Sequence, residues 1–225
     1  MAFDPNGEET YFVNGAGNDP GKWGYSQKIV TALQNAGISD VKHVPITQGQ
    51  FSDQFYSIIS NTSDSRYITT RTRFYDDVII KQRLESNTAT LVDAVNKDIS
   101  AGNIGEGEQL NLVGYSFGSV VTANAALELA SKGTTVNNLV LIGSPVSTNS
   151  ELYKALSSNS NIKNIIRIDI ANDRFSNPQG IKDLIKGVID ALKKGEKLPH
   201  FIYAVPQNDK EREELAKQLR DAGVQ

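Results

Sequence analysis

The sequence is informative first in what it lacks. It has no cysteine, which excludes disulfide bonds, thiolate metal sites and a cysteine nucleophile. It has only two histidines, so a structural zinc site or a base built on imidazole has few candidates. No apolar run approaches the length of about 18 residues that crosses a bilayer, and the first ten residues lack the basic and apolar segments of a signal peptide. These absences predict a soluble protein with no integral membrane segment, cytoplasmic or exported without a cleavable signal peptide.

The charge of the chain gives no sign of a nucleic-acid partner. The 23 basic residues nearly balance the 26 acidic ones, and the formal net charge is −3. Such a balance produces no general field that would attract a polyanion. With 225 residues, of which 39% are hydrophobic, the chain is long enough to bury a substantial core. We expect a single domain over residues 1–225 with no metal site, whereas composition leaves the oligomeric state open.

Short apolar strands alternate with helical patterns along the chain. Strand patterns lie at 10–15, 41–46, 110–114, 137–143 and 164–171. Apolar residues recur at helical spacing over 25–36, 88–101, 117–132, 151–157 and 181–194, and a charged terminal helix is expected within 208–223. Apolar strands linked by helices predict a mostly parallel central sheet covered on both faces, which is a three-layer α/β/α sandwich. Ligands of such sheets gather at the carboxyl ends of the strands.

Residues 111–119, NLVGYSFGS, place Ser116 between two glycines at the end of a predicted strand. The pattern G-x-S-x-G is a weak signal alone. It has a mechanism where a strand turns sharply into a helix, because the turn lifts the serine hydroxyl above the sheet edge. Here the strand 110–114 leads in and the helix 117–132 leads out, and we expect Gly118 to pack closely against the preceding strand. The alternative is a serine that caps the helix between turn glycines.

With GYSFG (114–118) as its nucleophile elbow, the sequence resembles the α/β-hydrolase family over roughly residues 10–205. The resemblance implies a reduced α/β-hydrolase fold, in which the family's usual first hairpin is reduced or missing. It also implies a serine hydrolase of the esterase or lipase type that works through an acyl-enzyme without a cofactor. A serine hydroxyl becomes nucleophilic when a histidine takes its proton and an acid orients that histidine. The family order is serine, acid, histidine.

The base must be one of the two histidines, His43 and His200. His43 lies upstream, inside the predicted strand 41–46, where a side chain paired locally in the sheet explains it. His200 therefore remains as the candidate base, with a structural histidine as the alternative. Its surroundings depart from the family pattern, because the apolar run FIYAV (201–205) follows the histidine instead of preceding it. Either the last strand is short and ends by Leu198, or FIYAV packs as a return segment.

Two aspartates compete for the role of the acid. Asp173 comes just past the predicted strand 164–171, where members of the family carry their acid, and it is the favoured candidate. Asp169 alternates with Ile168 and Ile170, so we expect it to point from a face of the sheet and to bond a loop. For either residue the alternative is an exposed aspartate in an Asx turn.

The backbone donors for an oxyanion are expected from two loops. One is the amide of Phe117, directly after the nucleophile. The other comes from the glycine loop NGAGND (14–19), where Ala16 is favoured and Gly15 comes next.

The same glycine loop supports an alternative function. Gly15-x-Gly17 after a strand is similar to a dinucleotide-binding turn, which would make the chain a nucleotide-binding α/β protein. The spacing disagrees, since the third glycine is Gly21 and Pro20 intervenes. A further alternative is a non-catalytic binding protein of hydrolase shape, but the histidine that such a protein lacks is present here.

Two segments bear on the substrate. Residues 48–85 form a long connection rich in aromatic side chains and are a candidate flap, although core packing also explains most of these side chains. The amphipathic helix predicted at 181–194 lies between the candidate acid and base and is a candidate cap. Together they could roof an apolar acyl pocket, which favours a carboxylic ester or lipid over a peptide. The sequence does not distinguish simple esters, phospholipids, thioesters and amides.

Overall fold

The structure is a computed structural model that describes residues 8–15, 24–46, 77–105, 107–179 and 197–225, together with residues 183, 186, 187, 190, 193 and 194. Over 77–83 it describes only the backbone. The candidate flap at 48–85 therefore lies mostly outside the described residues, as do Ala16 and Gly17. The expectation of a single domain over 1–225 remains a prediction.

Five parallel strands form the sheet in the described part of the chain, in the order β2-β1-β3-β4-β5. They are β1 (Glu9–Val13), β2 (Val41–Val44), β3 (Leu110–Tyr115), β4 (Val136–Ile142) and β5 (Ile162–Ile168). Every residue of the central strand β3 is buried, as expected where helices cover both faces of a parallel sheet. All five strands lie where the sequence predicts them, although β5 begins earlier and ends before Asp169.

The α-helices whose bounds the structure describes are α1 (Tyr25–Asn35), α2 (Asp77–Ala101), α3 (Phe117–Ser131), α4 (Glu151–Ser158) and α5 (Asp209–Asp221). Helix α2 begins well before the start that the sequence predicts at residue 88. Its buried face continues through Leu84, but Asn87 and Thr88 are also buried on it. These two polar residues interrupt the apolar periodicity, which is why the pattern alone places the start of the helix too late.

The helices pack as two groups. Helix α1 packs against α5, whereas α2 packs against α3, and α3 packs against α4. Strand β2 lies on one side of β1, and β3, β4 and β5 follow on its other side. Because the connections between parallel strands are right-handed, this reversal places α1 on one face of the sheet and α2, α3 and α4 on the other. The predicted three-layer α/β/α sandwich with a parallel sheet is confirmed.

The reversal of strand order opens a crevice between the carboxyl ends of β1 and β3. Residue Gly15 follows β1, and Ser116 follows β3. The two segments that the sequence connects with catalysis therefore meet at this crevice.

A row of polar side chains crosses the sheet near the opposite, amino-terminal ends of the strands. Thr10, Asn111, Asn138 and Asn164 are register partners on neighbouring strands. Asn138 Nδ2 donates to Asn111 Oδ1 at 2.7 Å, and Asn164 Nδ2 donates to Asn138 Oδ1 at 3.1 Å. Asn111 Nδ2 also donates to the backbone oxygen of Gln225 at 3.1 Å, so this row holds the segment after α5.

Candidate active site

Ser116 occupies a sharp turn between β3 and α3. Its backbone has φ 53° and ψ −121°, a conformation that a residue with a side chain rarely adopts. Its amide donates to the Ile142 carbonyl of β4 at 2.8 Å, which ties the turn to the sheet. The Ser116 side chain makes no capping hydrogen bond to α3. The alternative of a helix-capping serine is therefore wrong.

The glycines around Ser116 are needed because backbones approach one another closely. A Cβ atom at Gly114 would lie 2.5 Å from Ser119 Cα. A Cβ atom at Gly118 would lie 2.5 Å from the Asn14 carbonyl oxygen and closer still to that of Val13. The expectation that Gly118 packs against the preceding strand is thus wrong, since its nearest neighbours belong to the end of β1.

Ser116, His200 and Asp173 form a continuous hydrogen-bonded series. Ser116 Oγ lies 2.6 Å from His200 Nε2, and His200 Nδ1 lies 2.6 Å from Asp173 Oδ2. The Asp173 side chain is 0% exposed and that of His200 is 5% exposed. The second carboxylate oxygen, Asp173 Oδ1, accepts from the Phe175 amide at 3.0 Å. When a carboxylate accepts from Nδ1–H, the lone pair of Nε2 is free to take the hydroxyl proton of a serine.

Aromatic rings hold the His200 imidazole in place. Tyr115 stacks on it with centroids 5.9 Å apart, and Phe175 and Phe201 meet it edge-on at 5.0 and 5.6 Å. The Tyr115 hydroxyl donates to the His200 carbonyl. Burial raises the pKa of Tyr115, and the nearby Tyr25 and Asp173 raise it further, so its hydroxyl remains a donor.

His200 lies in a short 3-10 helix, Pro199–Phe201, followed by turns. Over 197–208 the structure contains no strand, and Phe201 and Ala204 are buried. This packing agrees with the alternative in which FIYAV is a return segment, whereas the other alternative, a short strand that ends by Leu198, falls partly on residues outside the described ones. His43 takes a different place, in β2, where its Nε2 lies 2.9 Å from Asn14 Oδ1.

Asp169 lies just after β5 and is not in contact with His200 in the described structure. Its side chain is 42% exposed and accepts from Arg167 Nη2 at 2.9 Å. Ser176 Oγ and Asn177 Nδ2 also donate to it, each at 3.3 Å. Asp169 thus bonds the loop that carries Asp173, as the sequence predicts.

Two of the candidate oxyanion donors, Phe117 and Gly15, lie next to Ser116 in the described structure. Phe117 is the first residue of α3, and its amide has no hydrogen-bond partner among the described residues. Helix N-termini of this kind favour a negatively charged group. A Cβ atom at Gly15 would lie 2.7 Å from Ser116 Cβ, so the loop after β1 borders the serine. Ala16, the favoured donor of that loop, lies outside the described residues.

Comparison with known proteins finds a similarity that includes β3, the Ser116 turn and α3. A family model described as "Alpha/beta hydrolase" matches residues 75–179, which include β3, Ser116 and Asp173. Over these residues, which make up just under half of the chain, the sequence is similar to α/β hydrolases. No curated protein matches the chain significantly. Among solved structures, Trichoderma reesei cutinase in complex with a C11Y4 phosphonate inhibitor is similar at 16% identity and a TM-score of 0.47, over 96% of this chain and 76% of that chain.

Sequence reasoning missed two buried serines beside the nucleophile turn. The Ser119 hydroxyl donates to the Ser116 carbonyl oxygen at 2.5 Å, and the hydroxyl oxygens of Ser119 and Ser144 are 2.7 Å apart. The Val146 amide donates to Ser144 Oγ at 3.1 Å. Ser119 could have been found, because it follows Ser116 by one helical turn. Ser144 gives no local signal, since it follows β4 and meets the turn only in the folded chain.

The dinucleotide alternative does not fit the loop after β1. In a dinucleotide-binding turn the helix opens directly on the glycines, whereas α1 begins only at Tyr25, well beyond Gly15. The next strand, β2, ends at Val44 without an acidic residue. The described residues also contain no cluster of three or more metal-ligating side chains. None of the helices in that part of the chain combines the length and apolarity needed to span a membrane.

Proposed function

We propose that the protein is a serine hydrolase that cleaves a carboxylic ester or lipid through an acyl-enzyme intermediate. The observation that carries the proposal is the buried series from Ser116 Oγ through His200 to Asp173, with 2.6 Å at each contact. In this proposal Ser116 is the nucleophile, His200 the general base and Asp173 the acid that orients the base.

In the proposed reaction His200 Nε2 takes the proton of the Ser116 hydroxyl as Oγ attacks the carbonyl carbon of the ester. The carbonyl oxygen becomes negative and is stabilised by backbone donors, for which Phe117 and the loop after β1 are the candidates. The intermediate then collapses, the C–O bond to the alcohol breaks, and His200 returns the proton to the departing oxygen. A water molecule, activated by His200 in the same way, releases the acid and regenerates Ser116.

The preference for an ester or lipid rests on the sequence, in which the segments 48–85 and 181–194 are rich in apolar side chains. The described positions between 183 and 194 have helical backbone, in agreement with the predicted cap helix. A Cβ atom at Gly187 would lie 2.9 Å from the Phe175 ring, which itself meets His200. Gly187 is therefore close to a ring that contacts the candidate base, which supports a role of this segment as a cap over an apolar acyl chain.

Labelling with a fluorophosphonate probe tests the proposal, because the probe phosphonylates activated serines. We expect labelling at Ser116 by peptide mapping and turnover of a short-chain p-nitrophenyl ester. Ser116→Ala should abolish labelling and lower kcat by about a millionfold, the loss found for a triad nucleophile. Ser131→Ala, at an exposed serine of α3, is the matched control and should behave as wild type. An unlabelled wild-type protein would favour the non-catalytic binding protein, and a Ser116→Ala variant with a tenth of normal activity would exclude the nucleophile.

A further inference from the structure

Asn14, directly after β1, has a fully buried side-chain amide for which the proposed reaction has no use. Its Nδ2 donates to the Gly15 carbonyl oxygen at 2.9 Å. Its Oδ1 lies 2.9 Å from His43 Nε2. One side chain therefore connects β2 with the backbone that borders Ser116.

The direction of these hydrogen bonds follows from the chemistry of the amide. Because Asn14 donates from Nδ2 to Gly15, its Oδ1 must accept, and His43 Nε2 must carry the proton. Burial lowers the pKa of His43, which favours the neutral ring. The ring lies 5.9 Å from that of Phe12, its register partner in the β1–β2 pair. The sheet thus fixes His43, and His43 in turn fixes which way the Asn14 amide faces.

Gly15 connects the contacts of His43 and Asn14 to the turn that carries Ser116. A Cβ atom there would lie 2.7 Å from Ser116 Cβ and 3.0 Å from the Tyr115 carbonyl oxygen, so the Gly15 backbone touches the turn that carries the nucleophile. The carbonyl of Gly15 is held by Asn14. A planar peptide group held at its oxygen cannot rotate without losing that bond. The sequence predicts that this same loop provides the second oxyanion donor.

We propose that His43 and Asn14 are positioning residues for the backbone at Gly15, a candidate oxyanion donor, in which His43 Nε2–H orients the Asn14 amide and Asn14 Nδ2–H fixes the Gly15 carbonyl beside Ser116. The inference rests on the proposed function, and it assigns no chemical step to either residue. Oxyanion donors act on charge that develops in the transition state. Disturbing their position therefore lowers kcat and leaves KM nearly unchanged.

The test compares His43→Leu with His43→Gln. Glutamine carries an amide donor at the place of His43 Nε2, whereas leucine has none. We expect His43→Leu to lower kcat for a short-chain p-nitrophenyl ester by about 10- to 100-fold, less than the loss of a whole oxyanion donor, with KM little changed. His43→Gln should restore most of the rate. The rates are referred to the concentration of active sites, titrated with a fluorophosphonate probe, so that a smaller folded fraction does not count as a slower enzyme.

A second variant tests the other half of the connection and replaces the first if His43→Leu does not fold. Asn14→Asp retains an acceptor for His43 but loses the donor to Gly15, so it should lower kcat to a similar extent. Equal rates for His43→Leu and His43→Gln would overturn the inference. A lower melting temperature with unchanged kcat per titrated site would also overturn it, because the role would then be structural only. A wild-type protein that is not labelled at Ser116 would instead overturn the proposed function, and the inference with it.

Discussion

Replacing Asp173 with asparagine removes one charge from the candidate site and changes the shape of the side chain little. If His200 is the base, it becomes positively charged in the transition state, 2.6 Å from the Asp173 carboxylate. Coulomb's law with an effective dielectric constant of about 20 gives about 6 kcal/mol for unit charges at this distance. That energy corresponds to a loss of about 25,000-fold in kcat.

The hydrogen bonds around Asp173 add a second reason for a large loss. Asp173 Oδ1 accepts from the Phe175 amide at 3.0 Å, so the oxygen of an asparagine would take this position. Its NH2 group would then face His200 Nδ1 and favour the tautomer with the proton on Nε2. In that tautomer His200 cannot accept the proton of Ser116.

The assay is steady-state hydrolysis of a short-chain p-nitrophenyl ester, with the melting temperature recorded for each variant. Asp169→Asn is the matched control, because Asp169 lies on the same loop but is 42% exposed and bonded by Arg167. It should leave kcat nearly unchanged. A folded Asp173→Asn variant that retains more than about a tenth of the wild-type rate would refute the reasoning, since it would have lost less than about 1.4 kcal/mol. If Asp169→Asn loses most of its kcat while Asp173→Asn keeps the wild-type kcat, the acid is misassigned.

The remaining predictions concern stability. Gly118→Ala should destabilise the protein by about 1–3 kcal/mol and lower kcat, because its Cβ would meet the end of β1. The control is Gly133→Ala, at φ 92° with open space around it, which should lower stability but not kcat. Equal losses of kcat in the two variants would contradict this reasoning. Asn138→Leu should cost about 1–3 kcal/mol in urea unfolding and leave kcat unchanged, because it leaves the buried Asn111 Oδ1 without its donor far from Ser116. Burial lowers the folded-state pKa of His43 below its ordinary 6.5, so the unfolded chain binds more protons as the pH falls. Wild type should then lose stability relative to His43→Gln between about pH 8 and pH 5, and parallel stability curves would contradict this.

The turn that carries Ser116 could be predicted from the sequence because its signal is local. An apolar strand, two glycines and an alanine-rich helix are consecutive in the chain, and each is recognised by its own residues. The sequence does not reveal which segment of the chain packs against this turn. Gly118 meets Val13 and Asn14, more than a hundred positions away, and no pattern within β3 or α3 reports that contact.

The acid and the base were predicted by a different route. With two histidines in the chain, one of them inside a strand, elimination left His200 as the candidate base. Asp173 was favoured over Asp169 because it lies just past the predicted strand 164–171, where the family carries its acid. The structure brings both to Ser116. The 3-10 helix at Pro199–Phe201, which carries His200, was not predictable, because the Tyr115 and Phe175 rings that contact His200 come from elsewhere in the chain and meet it only after folding.

The site depends most on the pairing of β1 with β3, which no local pattern reveals. Because β3 returns to the side of β1 away from β2, the loop after β1 and the turn after β3 end at the same crevice. Gly15 and Gly118 lack side chains where these two segments touch, so the candidate oxyanion loop and the candidate nucleophile share one packed backbone contact. A change on either side must therefore move the other, and this is why Gly118→Ala, which removes no polar group, is expected to slow the reaction as well as destabilise the fold.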